Sequence, residues 1–323
     1  MRDIYAINIQ NYPTLSDVNL EKFLHREIYK SFSEEYILGF CLIISLNIRA
    51  NFASMIDCVV YIAFHQKGNI IAKDEIYSAL HVGKLISNLQ LDITSDATGN
   101  NISDRNEIYS ELTGWYWIWK NQKHDFVGTA HYRRYFTATP ISNIRKIGKM
   151  LLFLIGLQKK RHGLWYVQNS VQWQNKILAK NEIEILLSEY DAILPQKKIF
   201  KYSVSEQYRR RHNSNDIILT RNIVNEKYPD YIQTFDAVFN QNQMYSFNMF
   251  IMPWHLFDKY MNWLFTILFE LEKRSDINMA DKYRKRVCAF MAERLQTVWI
   301  EKNKLKVKEL PVLYFKNLKS EHF

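Results

Sequence analysis

The residues best suited to chemistry cluster where an apolar run stops. Phe126-Val-Gly-Thr-Ala130 ends in His131-Tyr-Arg-Arg-Tyr-Phe136, so a histidine and two adjacent arginines follow a strand-like segment without a break. Guanidinium groups present a planar fork of donors that suits phosphate oxygens, and a pair at a strand end reads as an anion site. Strand alternation would turn Arg133 and Arg134 to opposite faces. One would then meet phosphate while the other pairs with an acid such as Glu293. His65 and Lys67 end a second β-branched run, Asp57 to Gly68. Ligands of open α/β sheets collect at the carboxyl ends of strands, which would set both near a nucleotide; the plainer alternative is a loop histidine. Arg209-Arg-Arg-His212 is another anion candidate, although charge runs are commonly solvated helix ends. Asn248 stands alone in the apolar run Met244 to Tyr260, where a buried amide needs a backbone or ligand partner. Glu293 and Arg294 are adjacent in an apolar helix, either as a base beside a cation or as a structural ion pair.

The elements that would position these groups can be traced along the chain. Asp57 to Gly68 reads as the first strand of an α/β domain, with Ile76 to Gly83 as a short connection and Leu85 to Asp92 after it. Glu107 to Trp119 reads as one helix, its stripe formed by Ile108, Leu112, Trp115 and Ile118. Asn101, Ser103 and Asp104 ahead of it are capping types. Further on, helices are expected at 181–188, 217–227, 255–273 and 284–302, and strands at 190–195 and 310–314. Ile144 to Trp165 is basic and apolar at once: six Lys or Arg lie between Arg145 and Arg161 with no acid among them. It reads as an interfacial helix on anionic lipid or as a helix packed on the domain with a solvated basic edge. No linker appears after residue 57, so the chain divides into an extension, 1–56, and one domain, 57–323, carrying a basic apolar insertion at 138–178.

With 323 residues and 47% apolar content, the chain is long and apolar enough for a sizeable core. Its net charge of +10 suits phosphate-bearing partners: nucleic acid, anionic lipid or nucleotide-sugar. The three cysteines lack metal-ligand or paired spacing, which argues for a reducing compartment. The start, MRDIYAINIQNYP, lacks the arrangement of a secretion signal, and no run of about 20 apolar residues occurs. A cytoplasmic protein is expected, peripheral at the inner face of the membrane if the basic segment docks there.

Several segments together resemble a family of bacterial capsular and exopolysaccharide glycosyltransferases long catalogued as a domain of unknown function. They are Tyr61-Ile-Ala-Phe-His65, Gly99-Asn-Asn-Ile-Ser-Asp-Arg-Asn106, Glu111-Leu-Thr-Gly-Trp-Tyr-Trp-Ile-Trp-Lys-Asn121, the His131 to Phe136 block, Tyr190-Asp-Ala-Ile-Leu-Pro195, Asn248-Met-Phe-Ile-Met252 and Ala292-Glu-Arg-Leu295. Asn100 stands where the family pattern has Asp. The resemblance implies an α/β, Rossmann-like nucleotide-sugar-binding domain of the GT-A kind with added C-terminal helices. It implies transfer of a sugar, galactose or galactofuranose, from UDP to a growing, lipid-linked glycan. His131, Arg133, Arg134 and Glu293 would then be catalytic; the general base is open among Asp191, Glu206, Glu293 and His131, with Glu293 the first choice. His65, Asp96, Asn101, Asn106, Tyr109, Asn248 and Arg294 would contact the donor, and Asp191, Glu206, Arg210 and His212 an acceptor or second anion. No Asp-x-Asp occurs in the chain, so no metal and no cofactor beyond the UDP-sugar is expected. The rival readings are a noncatalytic membrane scaffold of polysaccharide assembly and, against the scattered charge, a nucleic-acid-binding protein.

Overall fold

Seven residues of one strand set the frame. Cys58–Phe64 (β1) is β-branched and aromatic and almost wholly buried, as a strand covered on both faces by helices must be. The computed structural model describes residues 56–323 apart from 69, 141–142, 156, 158–159, 162, 168–169, 276–283 and 316–323. The expectations for the extension up to residue 55 therefore lie outside the described residues. After β1 come β2 (Tyr77–His81), β3 (Thr94–Ser95), α1 (Asn106–Tyr109), α2 (Leu112–Asn121), β4 (Phe126–His131) and β5 (Arg134–Phe136). The insertion supplies α3 (Asn143–Leu154), β6 (Lys160–Arg161), β7 (Leu164–Val167) and α4 (Ser170–Gln174). The second half contains α5 (Lys180–Glu189), β8 (Ala192–Pro195), β9 (Lys198–Phe200), α6 (Val204–Arg209), α7 (Asn215–Lys227), α8 (Ile232–Asn240), β10 (Gln243–Met244) and β11 (Phe250–Pro253). Two long helices, α9 (Trp254–Arg274) and α10 (Val287–Lys302), precede β12 (Val307–Leu310) and β13 (Val312–Phe315).

The main sheet runs β12-β8-β11-β4-β1-β2-β3. Neighbours are parallel except β11, which is antiparallel to both β4 and β8. The carboxyl ends of β1, β2 and β4 thus share one edge with the start of β11. At the far side of the chain segment, β13 joins β5 to β7, so the expected closing edge strand is two strands, only the first of which lies at the edge. A small antiparallel sheet joins β10, β9 and β6.

Three local expectations are corrected. Ile76 to Gly83 is not a mere connection: Asp74 accepts the Ile76 N–H at 3.2 Å and launches β2, which pairs in parallel with β1. The helix expected at 107–119 is broken. Ser110 adopts φ 51° and ψ −131°, so α1 stops and α2 restarts two residues later. Asn106 stabilises the break by donating through Nδ2 to the Ser110 carbonyl at 2.7 Å. Finally, the two arginines do not alternate along a strand. His131 pairs with Arg134 across a tight hairpin, leaving Tyr132 and Arg133 in the turn.

Why α2 is buried all round follows from its neighbours. One side presses on the sheet, and the other meets α9 through Tyr116 and Trp119 against Phe265, with ring centroids at 5.0 and 6.0 Å. Leu112, Trp115 and Ile118 are buried as their spacing predicts, and so are Thr113, Gly114, Tyr116 and Trp117. In the insertion the reverse holds. Ile147, Met150, Leu151 and Leu154, one helical stripe of α3, are all exposed.

Candidate functional site

At the carboxyl edge of the sheet the strand ends open a cavity of about 500 Å³. Its walls are Ala63 near the end of β1 and His65 just after it, Val82 and Gly83 after β2, Asn106, Ser110 and Glu111 at the helix break, His131 ending β4, and Arg286 at the start of α10. Gly83 has φ 70°, and a Cβ there would lie 2.4 Å from the Asn106 side chain. Only glycine lets this turn pass so close to the helix break. Asp96 fixes the turn: its buried carboxylate accepts the N–H groups of Gly83 at 2.8 Å and Lys84 at 3.2 Å and the hydroxyl of Ser103.

Positive charge converges here. The rings of His65 and His131 lie 5.5 Å apart. Burial first, and then Arg134, His65, Arg133 and Arg286, hold His131 well below the usual histidine range. His65 is lowered too, by desolvation in the crowded cavity mouth and then by Arg286, Arg133 and Arg134, even though part of its ring meets solvent. Both imidazoles are therefore neutral near pH 7. Arg133 stacks over Tyr132 at 4.9 Å, and Arg134 over Phe247 at 4.8 Å. Neither arginine forms an ion pair among the described residues, and the Nε of each, with Nδ1 of His131, is buried without a hydrogen-bond partner. Buried donors of this strength left without acceptors are costly, and an incoming anion would satisfy them. Arg286 adds a cation at a helix start, where the backbone dipole alone would disfavour it; its Nε donates to Ser110 Oγ at 2.8 Å.

Opposite the histidines lies a carboxylate–amide pair. Asn248 Nδ2 donates to Glu111 Oε1 at 2.8 Å. Asn248 and Phe247 both have positive φ, 49° and 79°, a conformation asparagine tolerates and phenylalanine rarely adopts. Glu293 anchors this turn by accepting the Phe247 N–H at 2.9 Å. Thr129 of β4 donates to the Asn248 carbonyl at 3.1 Å and accepts from Phe250 N–H, so the turn is fixed to the strand that delivers His131. Burial above all raises the Glu111 pKa; Glu293 adds to the rise, while Asn248 and Arg286 oppose it.

Of the residues singled out in the sequence, His65, His131 and Asn106 line the cavity, Arg133 and Arg134 stand beside it, and Asn248 and Glu293 form its supporting turn. Others are not brought there. Tyr109 is fully buried and its hydroxyl donates to Glu272 at 2.9 Å. Asn101 bonds Gly99 and Ser103 and faces a shallow depression of about 730 Å³ beside Arg105 and Lys273, away from the strand ends. Arg294 is buried against Gln207 at 2.6 Å, and Glu293 Oε2 lies 3.7 Å from it. Arg210 pairs with Glu206 at 2.9 Å on α6 and stacks on Tyr202, while His212 packs between Tyr208 and Phe290. Asp191 precedes β8 and accepts the Lys306 N–H at 2.7 Å, at the edge of the sheet opposite His131. Two wall residues escaped the sequence reading. Glu111, an acid inside a buried aromatic helix, and Arg286, a cation at a helix start, were each signalled by standing where their charge is unfavourable. Among the described residues no group of three or more His, Cys, Asp or Glu could hold a metal ion, and no helix is long and apolar enough to cross a membrane.

Comparison with solved structures finds the WbbM bifunctional glycosyltransferase, apo structure, with a TM-score of 0.70 and 29% identity. The match covers 81% of this chain and 46% of that one, so this chain spans about half the length of that protein. The α/β class, with a Rossmann-like sheet of the GT-A kind and added carboxyl-terminal helices, is as expected. Comparison with curated proteins returns no match. A family model, Domain of unknown function (DUF4422), matches residues 59–304, and with that span, which includes His65, Glu111, His131, Asn248, Arg286 and Glu293, the chain belongs to the DUF4422 family.

Proposed function

We propose that this chain is a nucleotide-sugar-dependent glycosyltransferase. One observation carries the reading: the strand end of β4 delivers His131 to a cavity at the carboxyl edge of a Rossmann-like sheet, with two arginines beside it that have no acid partner among the described residues. The likeness to a bifunctional glycosyltransferase supports it. The donor would lie across the strand ends with its diphosphate toward Arg133, Arg134 and Arg286. When a sugar leaves UDP, negative charge grows on the β-phosphate, and fixed cationic donors in a partly dry site stabilise it without reorganising. That need would be met here without a metal, so activity would survive EDTA.

The sugar would be a hexose, galactose or galactofuranose, and the acceptor a growing glycan of capsule, O-antigen or exopolysaccharide, carried on lipid at the cytoplasmic face of the membrane. The exposed stripe of α3 supports the lipid-linked part. It combines apolar residues at i, i+3, i+4 and i+7 with a segment whose charges are all basic, as an interfacial helix on anionic lipid requires. The experiment is UDP release from a panel of UDP-sugars, each with EDTA and with Mn²⁺. Turnover of one donor, indifferent to EDTA, is the expected result. Turnover only with Mn²⁺ would overturn the metal-free electrostatics. Lipid binding with no UDP-sugar bound or turned over would favour a scaffold.

A further inference from the structure

The cavity holds one acid whose placement nothing in the phosphate site requires. We propose that Glu111 is the general base of the transfer reaction, held in place by Asn248; this rests on the transferase reading above. Glu111 sits at the helix break, where the positive φ of Ser110 interrupts the helix and brings the carboxylate into the cavity wall. One oxygen accepts from Asn248 at 2.8 Å. Besides Asn248, the carboxylate is hydrogen-bonded by the backbone N–H of Glu111 itself. Asn248 itself is held in a two-residue left-handed turn, clamped by Glu293 through the Phe247 N–H and by Thr129 through its carbonyl. Such strain is costly and persists only where surrounding contacts over-determine it. What it secures here is the direction of the Asn248 amide, and through it the direction of the Glu111 carboxylate.

The other titratable groups are less suited. His65 and His131 stand among three arginines that push their protons off, which makes them poor acceptors of another. Glu107 is exposed and lies 3.5 Å from Lys285. Glu293 spends one oxygen on the Phe247 N–H and is absent from the cavity wall. Glu111 has the opposite environment: burial raises its proton affinity, and a base works best when its pKa approaches the working pH. The groups facing it are Asn248, Arg286, Ser110 and Glu293. In the step itself, the acceptor hydroxyl oxygen bonds to the anomeric carbon as the anomeric C–O bond to UDP breaks. The electron pair of that bond leaves on the β-phosphate oxygen, the hydroxyl proton passes to Glu111, and Glu111 later returns it to solvent. A single displacement of this kind inverts the anomeric centre.

The test uses the full chain and the UDP-sugar that the wild type hydrolyses fastest, water serving as acceptor. Glu111→Gln should keep UDP affinity and the thermal midpoint while the rate of UDP release falls by about 10²- to 10⁴-fold. Glu111→Ala should regain part of that rate in formate, which can enter the vacated space and take the proton. In the wild type the rate should fall in acid as Glu111 is protonated, and that limb should vanish in Glu111→Gln. Asn248→Ala should displace the limb rather than remove it. Full activity in Glu111→Gln, or a residual rate with an unchanged acid limb and no formate rescue, would overturn the assignment and leave the transferase reading intact. A wild type that binds no UDP-sugar would overturn both.

Discussion

Replacing Arg133 or Arg134 by alanine separates a binding role from a structural one, because the structure gives the two roles different magnitudes. Among the described residues neither guanidinium pairs with an acid, so its removal strands no carboxylate there. What each loses on the protein side is aromatic stacking, Tyr132 for Arg133 and Phe247 with the more distant Tyr314 for Arg134, worth about 0.5–1 kcal/mol for each such contact. In a domain of this size that lowers the melting midpoint by roughly 2–4 °C per contact at most. On the ligand side, a charge-assisted hydrogen bond to phosphate is worth about 1.5–3 kcal/mol. Its loss weakens UDP binding by roughly 10- to 150-fold. Calorimetric titration of wild type and each variant with UDP, and then with uridine, provides the measurement. Uridine carries no phosphate, so its affinity should hardly move. Loss of uridine and UDP affinity to the same degree would show that the arginines shape the pocket rather than bind the anion, and unchanged UDP affinity in both variants would refute the phosphate site outright.

Four further outcomes are expected. Because the folded pKa values of His65 and His131 lie below the unfolded value, the unfolded chain binds more protons in acid. Their contribution to stability is present above about pH 6.5 and is lost as pH falls through that value. The His65→Gln/His131→Gln double variant should show a flatter stability–pH curve there, and an unchanged slope would contradict the assigned environment. For the same reason UDP binding near pH 6 should take up protons, seen as a dependence of the calorimetric heat on buffer ionisation enthalpy. Gly114→Ala would put a Cβ 2.6 Å from Val82 and 3.0 Å from Leu80; overpacking of this kind costs about 1–3 kcal/mol, measurable as a lower denaturation midpoint. Finally, the chain should sediment with phosphatidylglycerol vesicles and poorly with phosphatidylcholine ones, and Leu151→Ser/Leu154→Ser should abolish the difference; sedimentation indifferent to lipid charge and to the substitutions would refute docking by α3.

Much of the frame was legible because local and tertiary demands agree. The β-branched runs at 58–64 and 126–131 pair with one another, and Tyr260, Leu264, Leu268 and Leu271 of α9 are all buried, as their helical spacing requires. Where sequence reasoning failed, contacts distant in the chain decided the outcome. Ser110 carries no signal for a helix break; the break is imposed by Asn106 from one side and Arg286 from the other. The hairpin at His131 is closed by β13, nearly 180 residues later, bonding to β5. Tyr109 has the composition of a ligand contact, yet Glu272 on α9 claims its hydroxyl. Asp96 likewise has the composition of a ligand contact, yet its oxygens serve the Gly83 turn.

If the strand-end cavity binds the nucleotide diphosphate of a sugar donor, crystals grown with UDP should hold it there. Density for the diphosphate is expected within hydrogen-bonding distance of Arg133 or Arg134, with His131 beside it and the nucleoside directed toward His65. Ordered UDP in the depression beside Arg105 and Lys273, or an empty cavity at a UDP concentration that saturates binding in solution, would contradict it.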